Sequence, residues 1–123
     1  MDNFLIDSDI IIWYLKGREK EAKFLEELSK KGDLFFSVVT IAEIRVGLTK
    51  EAIKVIAELK NIFVPLAITP EVAELAGLFK QKYRLDIADM FIAATAAVNS
   101  LTLVTYNKKH FLMPAVKLYT FGD

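Results

Sequence analysis

The sequence of 123 residues contains no cysteine, and this absence excludes two classes of small protein. A zinc ribbon needs thiolate ligands and a disulfide-stapled secreted domain needs paired thiols, so neither class fits this composition. Because 54% of the residues are hydrophobic, a chain of this length can bury a sizeable core without covalent or metal cross-links. We expect a single domain over residues 1–123, in a reducing compartment.

The sequence also lacks a long apolar segment and an excess of charge of either sign. No apolar run reaches the roughly 18 residues of a membrane span, since Asp7 and Asp9 interrupt the one nearest the N-terminus. Sixteen basic residues balance sixteen acidic ones, so the chain as a whole does not attract nucleic acid. We expect a soluble cytoplasmic protein without membrane contact. A polyanion would have to be held by a local basic patch or by a bound cation.

Glycine and proline are scarce and scattered, which argues against an internal linker or domain boundary. Short apolar runs alternate with segments of helical pattern, and this alternation is typical of a parallel sheet covered on both faces. The strands are predicted at residues 4–6, 34–39, 62–66 and 101–104, with a weaker fifth at 116–119. The predicted fold class is therefore α/β, as a three-layer α/β/α sandwich around a parallel sheet of four to five strands.

Three helical segments carry local signals of their own. Residues 19–31 combine an apolar stripe with acid-first pairs at i,i+4, namely Glu19/Lys23, Glu26/Lys30 and Glu27/Lys31. Thr69 followed by Pro70 predicts a helix start, because a capping hydroxyl precedes a proline in the first turn. Residues 10–15 are ambiguous, since their β-branched side chains favour a strand whereas the preceding Ser8 and Asp9 favour a capped helix. We predict a helix there.

Acidic residues lie at the starts of three predicted helices. Asp7 directly follows the first strand, and Glu43 lies in the first turn of the helix after the second strand. Asp86 and Asp89 open the helix that leads to the strand at 101–104. In an open parallel sheet, ligands bind at the carboxyl ends of the strands, where helix N-termini gather. We therefore expect some of these acids to converge at one edge of the sheet.

Each acid also has a purely structural explanation. Thr40 and Glu43 match a capping box, in which two side chains satisfy each other's backbone donors, and this explanation is favoured for the pair taken alone. Either Asp7 or Asp9 could cap the first helix, and capping is the preferred interpretation for Asp9 and Asp86. Asp89 is harder to explain, because its helix is apolar on nearly all sides and offers no Lys or Arg within one turn. Its partner must come from elsewhere in the fold or be a metal ion.

A cluster of carboxylates without Cys or a repeated His is a hard oxygen site, which suits Mg²⁺ or Mn²⁺ rather than Zn²⁺. Such a cation would reverse the local sign of charge and allow an acidic pocket to hold a phosphodiester. It would also polarise the phosphoryl oxygen and activate a water for in-line attack. The acids thus favour hydrolysis of a phosphate ester, and they do not identify the ester.

Four segments in order resemble a PIN domain, with the greatest likeness to the VapC-type toxins of toxin–antitoxin pairs. They are FLIDSDIII at 4–12, SVVTIAEI at 37–44, DMFIAATA at 89–96 and LVTYNKKHF at 103–111. One such segment alone is a weak signal, but all four occur with the family's order and spacing. The resemblance implies an α/β/α sandwich and a Mg²⁺- or Mn²⁺-dependent endoribonuclease. It also implies an RNA substrate, a homodimer and a small VapB-type antitoxin that blocks the site.

The resemblance also assigns individual site residues. The family's first three acids fall on Asp7, Glu43 and Asp89, which would hold the metal ion. Its small hydroxyl residue falls on Thr105, which orders the acids or a water. The fourth acidic position falls on Asn107, which brings an oxygen without a charge, so one tightly held metal ion is expected rather than two.

Further residues near these segments are weaker candidates. Asp9, if it turns inward, would restore the charge missing at the fourth acidic position. His110 stands where many relatives carry Asp, and we interpret this lone histidine as a bystander. Trp13 and Tyr14 could stack on bases, although aromatic residues on a first helix more often pack in the core or in a dimer interface. Candidate RNA contacts are Arg45, Lys50, Lys82, Arg84, Lys108 and Lys109, most of which could simply solvate helix ends.

Two other classes of function remain as alternatives. A phosphoacceptor receiver domain has a similar length and α/β alternation, but the predicted third strand ends without an Asp and no Lys-Pro pair occurs in the sequence. A non-catalytic PIN-like binding or scaffold module would retain the acids as helix caps. Asn107 is the best support for that second alternative.

Overall fold

The computed structural model describes residues 2–47 and 52–121, and in those ranges it forms five strands and six helices. The strands are β1 (Phe4–Ile6), β2 (Leu34–Ser37), β3 (Val64–Leu66), β4 (Thr102–Val104) and β5 (Lys117–Leu118). The helices are α1 (Ser8–Leu15), α2 (Glu19–Ser29), α3 (Val38–Gly47), α4 (Ala52–Ile62), α5 (Pro70–Tyr83) and α6 (Ile87–Val98). No helix in these ranges is long and apolar enough to cross a membrane.

All strand pairs of the sheet are parallel, in the order β3-β2-β1-β4-β5. The central strand β1 pairs with β2 on one side and β4 on the other, so that Leu5 lies opposite Phe35 and Leu103. The carboxyl ends of these three strands therefore lie side by side at one edge. The predicted parallel α/β sheet is confirmed, including its fifth strand.

The central strand is buried on both of its faces. Phe4, Leu5 and Ile6 are all buried, which is the continuous apolar run expected of a parallel strand with helices above and below it. Leu5 packs into one core with α5 and α6, whereas Phe4 and Ile6 pack into a second core with helices α1 to α4. Two cores separated by the sheet confirm the predicted three-layer sandwich.

The helix starts follow from their capping residues. Thr69 accepts a hydrogen bond from the Val72 backbone N–H at the start of α5, and Asp86 caps α6 in the same manner, as predicted. The ambiguous segment after β1 is a helix, as predicted. Its cap is Asp7, so the preferred interpretation of Asp9 as the capping residue is wrong.

Several predicted boundaries shift by one or more residues. The strand predicted at 34–39 ends at Ser37, because the Ser37 hydroxyl accepts from the Val39 backbone N–H at 3.2 Å and the chain turns at once into α3. Four more elements are shorter than predicted, namely the strands at 62–66, 101–104 and 116–119 and the helix at 19–31, whereas the helix predicted at 10–15 begins earlier, at Ser8. The predicted Glu19–Lys23 ion pair forms in α2, but Lys30 pairs with Glu27, so the predicted Glu26–Lys30 and Glu27–Lys31 pairs are not among the ion pairs of the described residues.

Candidate active site

Carboxylates from three separate segments meet at the edge where β1, β2 and β4 end. Asp7 follows β1 directly, and Asp89 lies in the first turn of α6. Glu43 lies in the second turn of α3, so the prediction of a first-turn position is wrong, because α3 already begins at Val38. Asp9 joins them from the first turn of α1. The predicted convergence is present, because each of Asp7, Glu43 and Asp89 is close enough to other acids of this set for their charges to raise its pKa.

Asp7 is the most buried acid of this group, with 4% of its surface exposed. One carboxylate oxygen accepts from the Ser8 backbone N–H at 2.8 Å, and the other accepts from the Thr105 hydroxyl at 2.7 Å. Burial raises the pKa of Asp7 to about 6, and the negative charges of Asp9 and Asp89 add to this effect. The two hydrogen bonds act in the opposite direction, so Asp7 is ionised at neutral pH at a cost in free energy.

Glu43 is held by a directed pair of hydroxyl groups. The Ser8 hydroxyl donates to Glu43 Oε1 at 2.6 Å, and the Thr40 hydroxyl lies 2.8 Å from the same Ser8 oxygen. Since Ser8 has one hydroxyl proton and gives it to Glu43, Thr40 must donate to Ser8. The capping-box interpretation of Thr40 and Glu43 is wrong, because α3 already begins at Val38 and the fully buried Thr40 hydroxyl serves Ser8.

The electrostatic environment of Glu43 links it to the other acids. Partial burial raises the pKa of Glu43, and the hydrogen bond from Ser8 opposes this shift. The negative charges of Asp89, Asp9 and Asp86 raise the pKa further. Glu43 therefore lies in the same negative potential as the acids carried by α1 and α6.

Asp89 has a partner that the sequence interpretation missed. His110 Nδ1 lies 2.9 Å from Asp89 Oδ2, where 24% of the Asp89 side chain is exposed. Partial burial raises the pKa of Asp89, whereas the hydrogen bond and charge of His110 lower it. The interpretation of His110 as a bystander is wrong. The available signal was topological, since His110 lies on the short turn after β4, at the edge where the acids gather.

Asn107 connects two of the site residues. Its backbone N–H donates to the Thr105 hydroxyl at 2.9 Å, and its side-chain amide donates to Asp9 Oδ2 at 2.5 Å. Thr105 gives its own proton to Asp7, so a second directed chain runs from the Asn107 backbone through Thr105 to Asp7. The Asp9 side chain is exposed, and Asn107 anchors it at the rim of the site.

Comparisons with known proteins identify the family of this chain. The family model of the PIN domain matches residues 4–115. Ribonuclease VapC10 of Mycobacterium tuberculosis is 34% identical over 114 residues, which are 89% of this chain and 86% of the relative. The chain belongs to the PIN-domain family, in its VapC group. The family predicted from the four sequence segments is confirmed.

Solved structures show the same PIN fold. A toxin–antitoxin complex from Klebsiella pneumoniae includes a chain 30% identical to this one, covering 91% of this PIN domain and 93% of that chain with a TM-score of 0.76. VapBC2 from Rickettsia felis, bound to a promoter DNA fragment, is 18% identical and shares the fold alone, with a TM-score of 0.83 over 98% and 99% of the two chains. The strand order differs from the 2-1-3-4-5 order of receiver-type folds, which removes the receiver-domain alternative.

The acids of this PIN domain fit a hard divalent cation by their chemistry. In the described part of the chain, no Lys or Arg forms an ion pair with Asp7, Asp9, Glu43 or Asp89. A carboxylate set of this kind, whose one basic partner is His110 on Asp89 among the described residues, matches the oxygen ligands of Mg²⁺ and Mn²⁺. Within residues 2–47 and 52–121, however, no group of three or more His, Cys, Asp or Glu side chains already has the arrangement of a metal site. The hydrogen bonds from Ser8, Thr105 and His110 hold the carboxylate oxygens instead.

The predicted RNA contacts are exposed but not gathered on one element. Arg45 lies in the last turn of α3, Lys82 in the last turn of α5, and Arg84 caps α5 in the left-handed conformation. Lys108 and Lys109 follow Asn107 directly in the short turn. Lys50 lies outside the described residues.

The two aromatic residues of α1 differ in their surroundings. Tyr14 is half-buried and packs edge-on against Phe63, with 6.1 Å between the ring centroids, so it belongs to the core. Trp13 is exposed, and the Arg18 guanidinium lies 4.0 Å from its ring centroid. The Tyr14 ring is therefore part of the core and does not contribute to the site.

Proposed function

We propose that this PIN domain is a metal-dependent endoribonuclease, the toxin of a VapBC-type pair. The observation that carries this proposal is the convergence of Asp7, Asp9, Glu43 and Asp89 in one negative potential that has no Lys or Arg counter-ion among the described residues. The names of the relatives support the reaction class, since VapC10 is a ribonuclease. The carboxylate set supports Mg²⁺ or Mn²⁺ as the cofactor.

Asp7, Glu43 and Asp89 would hold the cation, and Asp9 would add a fourth negative charge beside them. When bound, the cation supplies polarisation of a phosphoryl oxygen and a lowered pKa for an attacking water. The chain's own part is to present ionised and oriented carboxylates. Ser8 and Thr105 perform this orientation by donating to Glu43 and Asp7, and the fixed direction of each hydroxyl chain leaves the carboxylates as pure acceptors.

Asn107 also takes part in this site as a support. It fixes Thr105 through its backbone N–H and Asp9 through its amide, so the position aligned with the fourth acid still serves the carboxylate cluster. This contact favours the enzyme over the non-catalytic scaffold. Helix caps alone would not explain a side chain that anchors an exposed carboxylate beside three others.

We extend the proposal to ligands and partners. Arg45, Lys82, Arg84 and Lys108 are exposed cations that would contact phosphates of an RNA substrate. The toxin–antitoxin complex from Klebsiella pneumoniae supports a VapB-type antitoxin as the partner of this chain. A homodimer is the assembly that we propose for the toxin itself.

The decisive experiment is cleavage of total cellular RNA by the purified protein, followed by mapping of the new ends. We expect cleavage with Mg²⁺ or Mn²⁺ and loss of cleavage in EDTA. Asp7→Asn, Glu43→Gln and Asp89→Asn should each abolish it. Asp33→Asn is a matched control, because this carboxylate is exposed and lies outside the cluster. Equal RNA turnover by the parent and by all three site variants would refute the proposal by showing contamination.

A further inference from the structure

A small cavity at the segment that carries Thr105 and Asn107 combines aromatic and basic side chains. It has a volume of about 250 Å³ and is lined by Lys20, Phe24, Tyr106 and Phe121. Tyr106 lies between Thr105 and Asn107 in the chain, and both of these neighbours form hydrogen bonds to site acids. The cavity therefore adjoins the site through consecutive residues of one short segment.

The aromatic wall of this cavity is fixed in place. The Tyr106 ring lies 5.6 Å from the Phe121 ring at 33°, and the Phe121 ring lies 5.2 Å from the Phe24 ring. Burial, together with the hydrogen bond that the Tyr106 hydroxyl donates to the buried Glu21 at 2.6 Å, raises the pKa of Tyr106 to about 12. The ring is thus neutral at physiological pH and held at its tip, while 41% of its residue surface stays exposed.

Two lysines lie close to the aromatic rings of this wall. Lys20 Nζ lies 6.0 Å from the Tyr106 ring centroid, and Lys108 Nζ lies 5.7 Å from the Phe121 ring centroid. Neither lysine forms an ion pair with a carboxylate in the part of the chain that the structure describes. Lys23 on the same helix as Lys20, by contrast, pairs with Glu19 at 3.1 Å. The positive charges over the aromatic wall are therefore available to an anion.

Two other cavities lack this combination. One of about 550 Å³ lies between α2 and the junction of α4 with β3, and its polar lining includes Glu26 and Asp33 but no basic residue. Another, of about 430 Å³, lies by the first residues of β1 and β4, Phe4 and Thr102, at the edge of the sheet opposite to the carboxylates. Aromatic rings, unpaired lysines and proximity to the acids occur together in the 250 Å³ cavity.

We propose that this cavity is a nucleotide subsite, in which an unpaired base of the RNA substrate stacks on Tyr106 while Lys20 and Lys108 contact the neighbouring phosphates. This inference rests on the proposed ribonuclease function. The cavity is smaller than the roughly 300–1,000 Å³ of sites for drug-sized ligands, so its size suits a single ring system. Stacking on an aromatic side chain requires a free base face, so the subsite selects single-stranded RNA.

The test measures binding rather than cleavage, in a Glu43→Gln background that does not turn over the probe. A fluorescein-labelled 12-nucleotide single-stranded RNA is titrated with this protein and with versions carrying Tyr106→Ala, Lys20→Ala or Lys23→Ala. We expect Tyr106→Ala to weaken binding about 5- to 150-fold, the range for loss of one stacked base. Lys20→Ala is expected to lower the slope of log affinity against log salt by about 0.7, the value for one phosphate contact on a single strand. Lys23→Ala, which removes the same charge from the same helix, leaves the slope unchanged.

A probe with abasic residues distinguishes stacking from charge, since Tyr106→Ala should not weaken its binding further. Thermal melting of each variant checks the fold, and Lys20→Ala carries the test if Tyr106→Ala does not fold, because Lys20 is exposed. The subsite would be overturned if both variants kept the RNA affinity and the salt slope of the parent protein. The same result is expected if the cavity binds a protein segment instead of RNA. Failure of the ribonuclease proposal would appear separately, as absence of cleavage by the parent protein.

Discussion

Replacement of Asp7 by asparagine is expected to stabilise the protein at neutral pH while abolishing its activity. The pKa of Asp7 is about 6 in the folded protein against an ordinary value of 3.8. Each pKa unit corresponds to about 1.4 kcal/mol, so keeping Asp7 ionised costs the folded state about 3 kcal/mol at pH 7.5. Asparagine has no charge to bury and retains an oxygen for the Ser8 N–H. It loses the acceptor for the Thr105 hydroxyl, which costs about 1 kcal/mol, so a net gain of about 2 kcal/mol remains.

The stability that Asp7→Asn gains must depend on pH in a defined direction. Because the folded-state pKa of Asp7 is raised, the folded protein binds the Asp7 proton more tightly than the unfolded chain does. The parent therefore gains stability as the pH falls from about 7, and this gain is complete only below about pH 3, where Asp7 is protonated in the unfolded chain as well. The advantage of Asp7→Asn should be about 2 kcal/mol at pH 7.5 and should vanish near pH 4.

Urea denaturation of the parent and of Asp7→Asn at both pH values measures this difference directly, and thermal melting at pH 7.5 should show a rise of roughly 8 °C. Asp33→Asn is the control, because this acid is exposed and should change neither value. A lower stability of Asp7→Asn at pH 7.5, or a difference that is the same at both pH values, would contradict the argument that Asp7 is ionised against a burial cost.

Three further predictions concern residues that support the site or the fold. Thr40→Val removes the donor to Ser8 without changing the side-chain shape, so kcat should fall roughly tenfold, whereas Thr40→Ser should keep near-parental kinetics. His110→Ala removes a group that lowers the pKa of Asp89, so the acid limb of the pH–rate profile should move to higher pH, and an unmoved limb would count against the contact. Thr69→Ala removes the α5 cap and should cost about 1 kcal/mol in urea denaturation with unchanged cleavage.

The fold could be predicted from the sequence because its strands follow a simple pattern. The unbroken apolar run of β1 indicates a strand buried on both faces, and the alternation with helices indicates a parallel sheet. The errors lie at boundaries. Val38 and Val39 have strand propensity, yet they lie in the first turn of α3. The Ser37 hydroxyl accepts from the Val39 backbone N–H, and this contact at the helix start outweighs the local propensity.

The acids of the site could be located from the sequence, but their supports could not. Asp7 and Asp89 follow from a strand end and a helix start, which are properties of single segments, whereas Glu43 lies one turn further into α3 than predicted. Thr40 donating to Ser8 and His110 approaching Asp89 are contacts between segments far apart in the chain. A capping-box pattern and a lone histidine each have a sufficient local explanation, so only the packed structure distinguishes the local role from the long-range one.

Asn107 stands where the resemblance places a fourth acid, and its amide holds the exposed carboxylate of Asp9 instead of adding a charge of its own. An acid at this position would place a carboxylate next to Thr105, whereas Asn107 uses its amide to hold the carboxylate of Asp9. Burial is the main reason why the pKa values of Asp7, Glu43 and Asp89 are raised, and the charge of Asp9 adds to this effect at each of them. Four carboxylates thus remain in the potential of the site, with the fourth at its exposed rim. A cation held by the three inner acids would be bound tightly there, while the exposed Asp9 offers a weaker position, and this difference in burial is the physical reason to expect one firmly held metal ion.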